Sequence, residues 1–199
     1  FNVTGNYFLD LNKTFQEIAN TTKSDNTKTD IEIIYTTLLA NLRYAKTTVV
    51  LPEIDSLYKK AISKSAKSTK NLNIWTNTEY GFYLYSNSLY SDAFPYFLTA
   101  SKLIDKCNFK VSIQATDVFK KNAFYFGSIE NYTKEREYYK EALKVTDKKS
   151  VEYGTILNNL GNNYRKTKTT RKPKNISHKP LPFPKQITTQ LGMQKHLAI

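Results

Sequence analysis

The residue types that most often perform acid–base catalysis or bind metals are scarce in this sequence. Its only histidines are His178 and His196, both near the C-terminal end, and its only cysteine is Cys107. Histidine is the commonest general base and metal ligand, and a lone thiol forms neither an intrachain disulfide nor a cysteine zinc site. We therefore predict no catalytic residue, no bound metal and no cofactor.

A group of glutamates within residues 130–141 comes nearest to a carboxylate cluster for acid–base catalysis. Basic residues alternate with them about one helical turn apart, which is typical of a solvated helix face. The sequence also lacks a glycine-rich phosphate loop and a nucleophile elbow. It predicts a protein that is not an enzyme, with no evident small-molecule substrate, whereas paired carboxylates in a closed pocket would favour a hydrolase or transferase. The residues concerned are Glu130, Glu135, Glu137 and Glu141, with Lys134, Arg136 and Lys140.

Length and composition are those of one helical domain or a short row of repeats. The chain has 199 residues, of which 40% are hydrophobic, and a mean hydropathy of −0.55. Tyrosine and phenylalanine number 15 and 11, so many rings are available for packing between helices. No apolar run approaches the roughly 18 residues of a membrane span, and we expect no membrane span in this fragment. Because the chain begins with Phe1, we expect a fragment or a processed chain.

Positive charge is concentrated near the C-terminal end. The formal net charge is +13, yet residues 165–199 contain nine lysines and arginines and no acidic residue. The residues before them carry a net charge of only +4. Two different compositions therefore meet near Lys166, and the charge of the whole chain describes its last segment rather than its body.

Before Lys166 the apolar residues recur at spacings of three and four along most of the chain. This period predicts amphipathic α-helices, and therefore an all-α fold. Pro52 lies where a helix can begin, because proline in the first turn loses no helical hydrogen bond. Polar breaks separate the periodic stretches at residues 24–29, 65–73, 106–110 and 147–150.

One pattern of apolar residues recurs along the chain with identical gaps. The pattern begins at Leu42, Gly81, Ala123 and Gly161, so successive starts lie 39, 42 and 38 residues apart. Repetition of this kind is characteristic of helical repeat proteins, in which each unit contains two helices. The clearest copy has Gly81, Leu84, Tyr90, Ala93, Phe97 and Ala100, and the next has Ala123, Phe126, Tyr132, Glu135, Tyr139 and Ala142.

This pattern resembles the tetratricopeptide repeat, in which small residues let two helices approach closely and an aromatic side chain fills the gap between them. Gly81, Ala93, Phe97 and Ala100 fit the pattern, whereas Glu135 stands where alanine is usual. The resemblance implies an α-solenoid of helix–turn–helix units in a right-handed superhelix. It implies an N-terminal helical cap or partial repeat at residues 1–30, a repeat domain at 31–166 and an irregular, basic, proline-containing tail at 167–199.

The resemblance also implies where a ligand would bind. In this family the first helix of each unit lines a concave groove, and here that face carries aromatic, amide and cationic side chains. Such side chains suit an extended peptide or a partner helix, and the cations suit acidic groups. We therefore expect a protein or peptide partner, and an acidic one suits the cations. The groove candidates are Arg43, Lys46, Trp75, Thr78, Phe82, Tyr85, Lys120, Phe124, Asn158, Asn162 and Arg165.

Similar repeat regions precede the output domains of bacterial sensor kinases and transcription regulators. The resemblance therefore implies a protein-binding or sensor-scaffold region with a role in signal transduction. It also implies a location in the cytoplasm or periplasm of a bacterium. We recognise no output domain within the 199 residues.

The last unit begins like the others at Gly161, but its second half does not follow the pattern. The repeat requires aromatic residues at positions 170 and 177 and small residues at 173 and 180, where the sequence has Thr170, Pro173, Ser177 and Pro180. Proline disrupts a helix interior. A shift of one base within the A-rich codons 166–168 permits tyrosine, alanine, phenylalanine and alanine at the four positions. We therefore predict a frameshift, and an exposed apolar face that makes the C-terminal end aggregation-prone or dimerising.

A genuine basic tail is the alternative explanation of residues 167–199. Its lysines and arginines would then bind phosphate polymers with a strong dependence on salt concentration. The protein would in that case be a nucleic-acid-binding protein. A nucleic-acid partner is expected only if the tail is genuine.

Overall fold

The protein is all-helical over the residues that the structure describes. This structure, a computed structural model, describes residues 3–45, 51–107 and 115–170. Within those ranges there are eight helices and no strand, which confirms the predicted all-α fold. The helices are α1 (Val3–Thr21), α2 (Asp25–Tyr44), α3 (Pro52–Ser65), α4 (Lys70–Ser86), α5 (Tyr90–Lys106), α6 (Ala115–Ser128), α7 (Tyr132–Val145) and α8 (Val151–Thr170).

Polar caps and one proline mark where several helices begin. Ser24 Oγ accepts a hydrogen bond from the Thr27 N–H at 3.4 Å before α2, and Asn131 Oδ1 accepts one from the Lys134 N–H at 3.2 Å before α7. Such caps satisfy backbone N–H groups that the first turn of a helix leaves unpaired. Pro52 is the first residue of α3, where its missing N–H costs no helical hydrogen bond.

The turns α4–α5 and α6–α7 have the same backbone geometry at positions 42 residues apart. Ser88 has a φ of 66° and Glu130 a φ of 60°, both in the left-handed region. In each turn the N–H of the next residue donates to a carbonyl five residues earlier, at 3.0 Å in the first turn and 2.9 Å in the second. This is a Schellman-type helix ending. The repeat in the sequence is therefore also a repeat in local structure.

Consecutive helices pair into hairpins, and the first helices of neighbouring hairpins pack on one another. The most extensive contacts join α2 with α3, α4 with α5, and α6 with α7, while α4 also packs on α2 and α6. Helix α8 packs mainly on α7. Because other helices surround α4, every residue from Ile74 to Tyr85 except Phe82 is buried.

A close approach of helices within the α4–α5 hairpin has the form that the repeat pattern predicts. Gly81 faces Phe97, and a Cβ atom at position 81 would lie 3.1 Å from two carbons of that ring. Phe97, Ala93 and Ala100 are fully buried. The missing side chain at Gly81 therefore lets the ring lie against the helix. Phe97 also stacks on Tyr125 of α6, with ring centroids 4.2 Å apart, so the same ring contacts the next hairpin.

The glutamate that departs from the repeat pattern is accommodated by a glycine on the facing helix. Glu135 is 5% exposed, and a Cβ atom at Gly127 would lie 2.5 Å from its Cδ. At the positions 42 residues earlier the side-chain volumes are reversed, with Tyr85 in place of the glycine and Ala93 in place of the glutamate. The Glu135 carboxylate accepts a hydrogen bond from Asn163 Nδ2 at 2.8 Å. This buried acceptor therefore has a partner on α8.

Helices cross both boundaries of the predicted repeat domain. Helix α2 begins at Asp25, before the boundary at residue 31, because Ser24 caps it there. Helix α8 continues to Thr170, beyond the boundary at residue 166. The rest of the predicted tail, residues 171–199, lies outside the described residues.

Candidate functional site

A cleft of about 390 Å³ opens along the first helices of the hairpins. All of its lining residues except Tyr58 lie on α2, α4, α6 or α8. These are the helices on which the sequence predicts a ligand groove. The lining consists of Asn41 and Tyr44 from α2, Tyr58 from α3, Glu79, Phe82 and Tyr83 from α4, Asp117, Lys120 and Lys121 from α6, and Glu152 from α8.

Lys121 lies between two carboxylates of the cleft. Its Nζ is 2.6 Å from Glu79 Oε1 and 2.6 Å from Asp117 Oδ2. The side chain of Glu79 is 5% exposed and that of Lys121 15%, whereas Asp117 is 44% exposed. The same ammonium lies 5.2 Å from the centre of the Phe82 ring, within the range of a cation–π contact. Lys121 therefore joins α6 to α4 through both charge and ring contacts.

Burial and charge have opposite effects on these three groups. Burial raises the pKa of Glu79, although the Lys121 ammonium opposes the shift. Burial alone would also raise the pKa of Asp117, but the attraction of Lys121 outweighs it and holds that pKa below its usual value. Burial would lower the pKa of Lys121, but Asp117 and Glu79 together raise it. Glu79, Asp117 and Lys121 thus form an ion cluster in which one ammonium group lies between two carboxyl groups. The pKa of Glu79 is raised and that of Asp117 is lowered.

A chain of hydrogen bonds holds Glu79 from the side of α2. Asn41 Nδ2 donates to Glu79 Oε2 at 3.0 Å, and the Tyr58 hydroxyl donates to Asn41 Oδ1. Burial, with a smaller contribution from the charge of Glu79, raises the pKa of the Tyr58 hydroxyl well above its ordinary value. Both carboxylate oxygens of Glu79 therefore have partners, as a buried carboxylate requires.

Lys120 and Glu152 form the ion pair that brings α8 to the cleft. The Lys120 side chain is 14% exposed, whereas that of Glu152 is 42% exposed. Glu152 and Asp117 are thus the two carboxylates of the cleft that solvent reaches most easily. Each has two oxygens, so each can accept an N–H donor from a ligand in addition to its lysine.

Tyrosine rings form another part of the lining. The Tyr83 ring lies edge-on to Tyr44 with centroids 5.0 Å apart, and 5.1 Å from the Tyr58 ring. Burial raises the pKa of Tyr83, and the backbone of Leu51 partly opposes that shift. Within the described residues the buried Tyr83 hydroxyl makes no hydrogen bond of ordinary geometry. The rings of Tyr44, Tyr58 and Tyr83 therefore supply an apolar part of the cleft lining.

Two of the predicted groove residues, Phe82 and Lys120, line the cleft. A third, Phe124, lies beside it, with its ring centroid 6.3 Å from that of Phe82. Phe82 is the residue of α4 that the surrounding helices leave half-buried rather than buried. The predicted groove residues that lie at or beside the cleft are therefore those where α4 meets α6.

Three predicted groove residues of α4 lie in the core, and the structure corrects their placement. Trp75 is 6% exposed, Thr78 is fully buried and Tyr85 is 5% exposed. Thr78 Oγ1 accepts a hydrogen bond from Asn122 Nδ2 of α6 at 3.1 Å. The physical reason is that α4 packs on four other helices, so positions expected on an open face are covered.

The candidates on α2 and in the following loop do not line the cleft. Arg43 is exposed, and its Nη1 lies 3.9 Å from Glu53 Oε2 at the start of α3. This ion pair joins the two helices of one hairpin at the surface. Lys46 lies outside the described residues.

The candidates on α8 also lie away from the cleft. Asn158 and Arg165 are exposed, and Asn162 accepts a hydrogen bond from Arg165 on the same helix. Of the residues of α8, only Glu152 reaches the cleft. The cations and amides expected to face one ligand therefore lie in separate places.

Five polar residues line the cleft without being predicted from the sequence, namely Asn41, Glu79, Asp117, Lys121 and Glu152. Each is a polar residue on a helix, and such residues are normally solvated, so none is conspicuous alone. The one available signal was the repeat register: Glu79 and Lys121 are 42 residues apart and occupy equivalent positions of neighbouring units. Neighbouring units of a repeat protein pack on each other, so opposite charges at equivalent positions can meet.

Other kinds of site are not found in the described part of the chain. Residues 3–45, 51–107 and 115–170 contain no group of three or more histidine, cysteine, aspartate or glutamate side chains placed to hold a metal ion. None of the helices described there combines the length and the apolar character that crossing a membrane requires. The basic residues from Arg171 onward, on which the nucleic-acid prediction depends, lie outside these ranges.

Comparison with known proteins identifies a fold but no family. The structure is similar to a solved structure described as the crystal structure of BtubC (BKLC) from P. vanneervenii, with a TM-score of 0.62 and 14% sequence identity. The match covers 100% of this chain and 76% of the BtubC chain. No family model matches the sequence, and no curated protein does. At this identity the likeness to BtubC shows a shared fold alone.

Proposed function

We propose that this protein is a non-enzymatic interaction module that binds a peptide segment or a partner helix in the cleft. The observation that carries the proposal is the cleft itself, which crosses the first helices of successive hairpins and combines aromatic rings with partly exposed charges. Clefts of this composition suit chain-like ligands, whose side chains need apolar contacts and whose polar groups need partners. The module would act as the repeat region of a signalling protein.

The repeat architecture supports this function. We propose that the hairpins are tetratricopeptide-like units in an α-solenoid with a right-handed superhelix. The close approach of Gly81 to Phe97, and the left-handed residues Ser88 and Glu130 at equivalent turns, support that assignment. Stacked units of this kind present an extended surface made by one helix from each unit.

The carboxylates of the cleft favour binding over catalysis. Glu79 and Asp117 share the cleft, but the Lys121 ammonium lies 2.6 Å from each of them. Acid–base catalysis by a carboxyl pair needs one group that gives a proton and another that takes one at the reacting bond. Here the shared lysine occupies the space between the two groups, which therefore act as an ion-paired support for the cleft.

The partly exposed charges of the cleft favour a ligand with cationic side chains. Its lining contains three carboxyl residues and two lysines, and both lysines are paired with carboxylates. The lysines therefore offer less to an acidic ligand than the sequence suggests. Asp117 and Glu152 are the exposed charges, and a lysine or arginine of the ligand would complement them.

Binding to a peptide array tests both parts of the proposal. The chain is applied to immobilised 12-residue peptides of random sequence, half enriched in lysine and arginine and half in aspartate and glutamate. We expect selective capture by basic, aromatic-containing peptides. We expect Glu152→Gln to weaken that binding about five-fold, which corresponds to about 1 kcal/mol for a partly exposed charge pair.

Glu137→Gln is the matched control, because Glu137 is exposed on α7 and does not line the cleft. It should leave binding unchanged. Absence of binding to every peptide would refute the interaction module. Preferential binding to the acidic peptides would refute only the assigned charge of the ligand.

A further inference from the structure

Helix α8 has an apolar face that no other helix covers within the described residues, although the Arg136 guanidinium of α7 lies 4.5 Å from the centre of the Tyr164 ring. We propose that this face is the docking surface for a second helix, and that the coding sequence supplies that helix directly after α8 in the neighbouring reading frame. The inference is independent of the cleft and of its ligand. It concerns how the last hairpin of the fold is completed.

The exposed apolar residues of α8 lie along one side of the helix. Leu157 is 47% exposed and Tyr164 is 41% exposed, although both are large hydrophobic residues. Gly154 and Gly161 continue the same side at helical spacing. The opposite side is occupied, because the fully buried Asn163 bonds to Glu135 of α7.

The glycines of α8 lie on a side that no neighbouring helix of the described residues contacts. Gly81 begins the clearest repeat unit, and a Cβ atom there would lie 3.1 Å from the ring of Phe97 on the second helix of the same hairpin. Gly161 begins the last unit at the equivalent position, and no heavy atom of the described residues lies within 4 Å of a Cβ atom built there. The same is true of Gly154. The first helix of the last hairpin is therefore present, but its surface for a second helix is open.

The repeat register specifies the side chains that would cover this surface. Phe97 lies sixteen residues after Gly81, so the ring that meets Gly161 is expected at position 177. Alanines equivalent to Ala93 and Ala100 are expected at positions 173 and 180. The printed sequence has Pro173, Ser177 and Pro180 there instead. Pro180 would lie in the interior of that helix, where proline removes a helical hydrogen bond and disrupts the helix. Pro173 would lie nearer its start, where α5 itself accommodates Pro95.

The neighbouring reading frame permits the required residue at each position and restricts two of them to small residues. A shift of one base within codons 166–168 permits the sequence Asn-Tyr-Glu-Lys-Ala-Glu-Lys-Tyr-Phe-Thr-Gln-Ala at positions 169–180. The codons of the two Lys-Pro pairs restrict positions 173 and 180 of that frame to alanine or threonine, both small. A ring at 177 and small residues on either side of it are the combination that packs against a glycine surface in the α4–α5 hairpin. The occupant that we assign to the α8 surface is therefore this helix.

Replacement of residues 169–180 by the shifted-frame sequence tests the assignment. Thermal unfolding of the original and the replaced chain is followed by circular dichroism. We expect the midpoint of the replaced chain to be higher by about 5 °C or more, because the exposed parts of Leu157 and Tyr164 become buried. A control chain with the same replacement but aspartate at position 177 should lose most of that increase.

Leu157→Asp distinguishes the new helix from other ways of covering α8. In the original chain this change should shift the midpoint by less than about 2 °C, because surface substitutions have small effects. In the replaced chain it should remove the gain. An unchanged midpoint in the replaced chain would overturn the proposal. So would a Leu157→Asp change that converts a dimer of the original chain into a monomer in sedimentation analysis, since a second copy would then be the occupant.

Discussion

Replacement of Lys121 by methionine tests whether the buried ion cluster stabilises the contact between α4 and α6. Methionine has a similar length and no charge, so Lys121→Met removes the ammonium with little change in volume. In the native protein that ammonium is 2.6 Å from Glu79 and 2.6 Å from Asp117. The variant therefore leaves two carboxyl groups facing each other without their shared cation.

The expected loss of stability depends on how deeply the two carboxylates that Lys121 contacts are buried. Glu79 is 5% exposed and keeps only Asn41 as a hydrogen-bond donor after the change, whereas Asp117 is 44% exposed and can be hydrated. Removal of one member of a buried ion pair costs about 3–5 kcal/mol. The exposure of Asp117 places the expected loss near the lower end, about 3 kcal/mol. For a chain of this size, that loss lowers the midpoint of thermal unfolding by about 6–12 °C.

The pH dependence of the loss gives a second test. Burial raises the pKa of Glu79, and removal of the opposing ammonium raises it further. A carboxyl group whose pKa is higher in the folded than in the unfolded state stabilises folding at low pH, and this contribution is lost as pH rises through the folded pKa. Lys121→Met should therefore cost less stability at about pH 5 than at about pH 8.

Urea unfolding monitored by circular dichroism measures both effects. Lys102→Met is the matched control, because Lys102 is exposed on α5 and should contribute little. Adding Glu79→Gln to the variant should restore part of the stability, since the buried charge is then removed. If Lys121→Met costs no more than Lys102→Met, the ion cluster does not stabilise this contact. An equal cost at both pH values would instead refute the raised pKa of Glu79.

Four substitutions test the packing of the hairpins. Gly154→Ala, where no described atom lies within 4 Å, should raise the free energy of unfolding by up to about 1 kcal/mol in a urea titration. Gly127→Ala should be less stable than Gly154→Ala by at least about 1 kcal/mol, because the new Cβ would lie 2.5 Å from Glu135 Cδ, whose carboxylate Asn163 holds in place. Glu130→Gly should stabilise by about 1 kcal/mol, since the φ of Glu130 is 60°, and thermal unfolding would show a higher midpoint. Phe97→Ala should cost about 3–5 kcal/mol by calorimetry, and a loss under about 1 kcal/mol would mean that the ring does not fill the gap beside the helix.

The sequence was sufficient to predict the order of helices and the register of the repeat. Local signals carried that information: polar breaks between periodic stretches, Pro52 at a helix start, and the glycine and ring that meet within one hairpin. Each signal acts over one helix or over two that are close in the chain. Such signals can be recognised in the sequence because a short segment is enough to determine their effect on the local structure.

Burial of α4 could not be predicted in the same way. A helix of average apolar character is expected to keep one face in water, and Trp75, Thr78 and Tyr85 were assigned to that face. The structure covers them because α4 lies among α2, α3, α5 and α6. Which face of a helix in the middle of the fold stays exposed depends on where helices distant in the sequence pack against it. The spacing of apolar residues within that one helix does not contain this information.

The ion cluster shows how one repeated backbone pattern can specify a unique order of units. Glu79 and Lys121 occupy equivalent positions in neighbouring units, whereas the next equivalent position holds Asn159 and the preceding one Ala40. The opposite charges can therefore meet only where α4 packs on α6. Hairpins that share the same shape could otherwise stack in the wrong order, because shape alone does not distinguish them. A buried charge pair that is satisfied in one arrangement and unpaired in the others penalises those alternatives. The pair of Glu79 and Lys121 has this property at the α4–α6 interface, beside the buried hydrogen bond between Asn122 and Thr78.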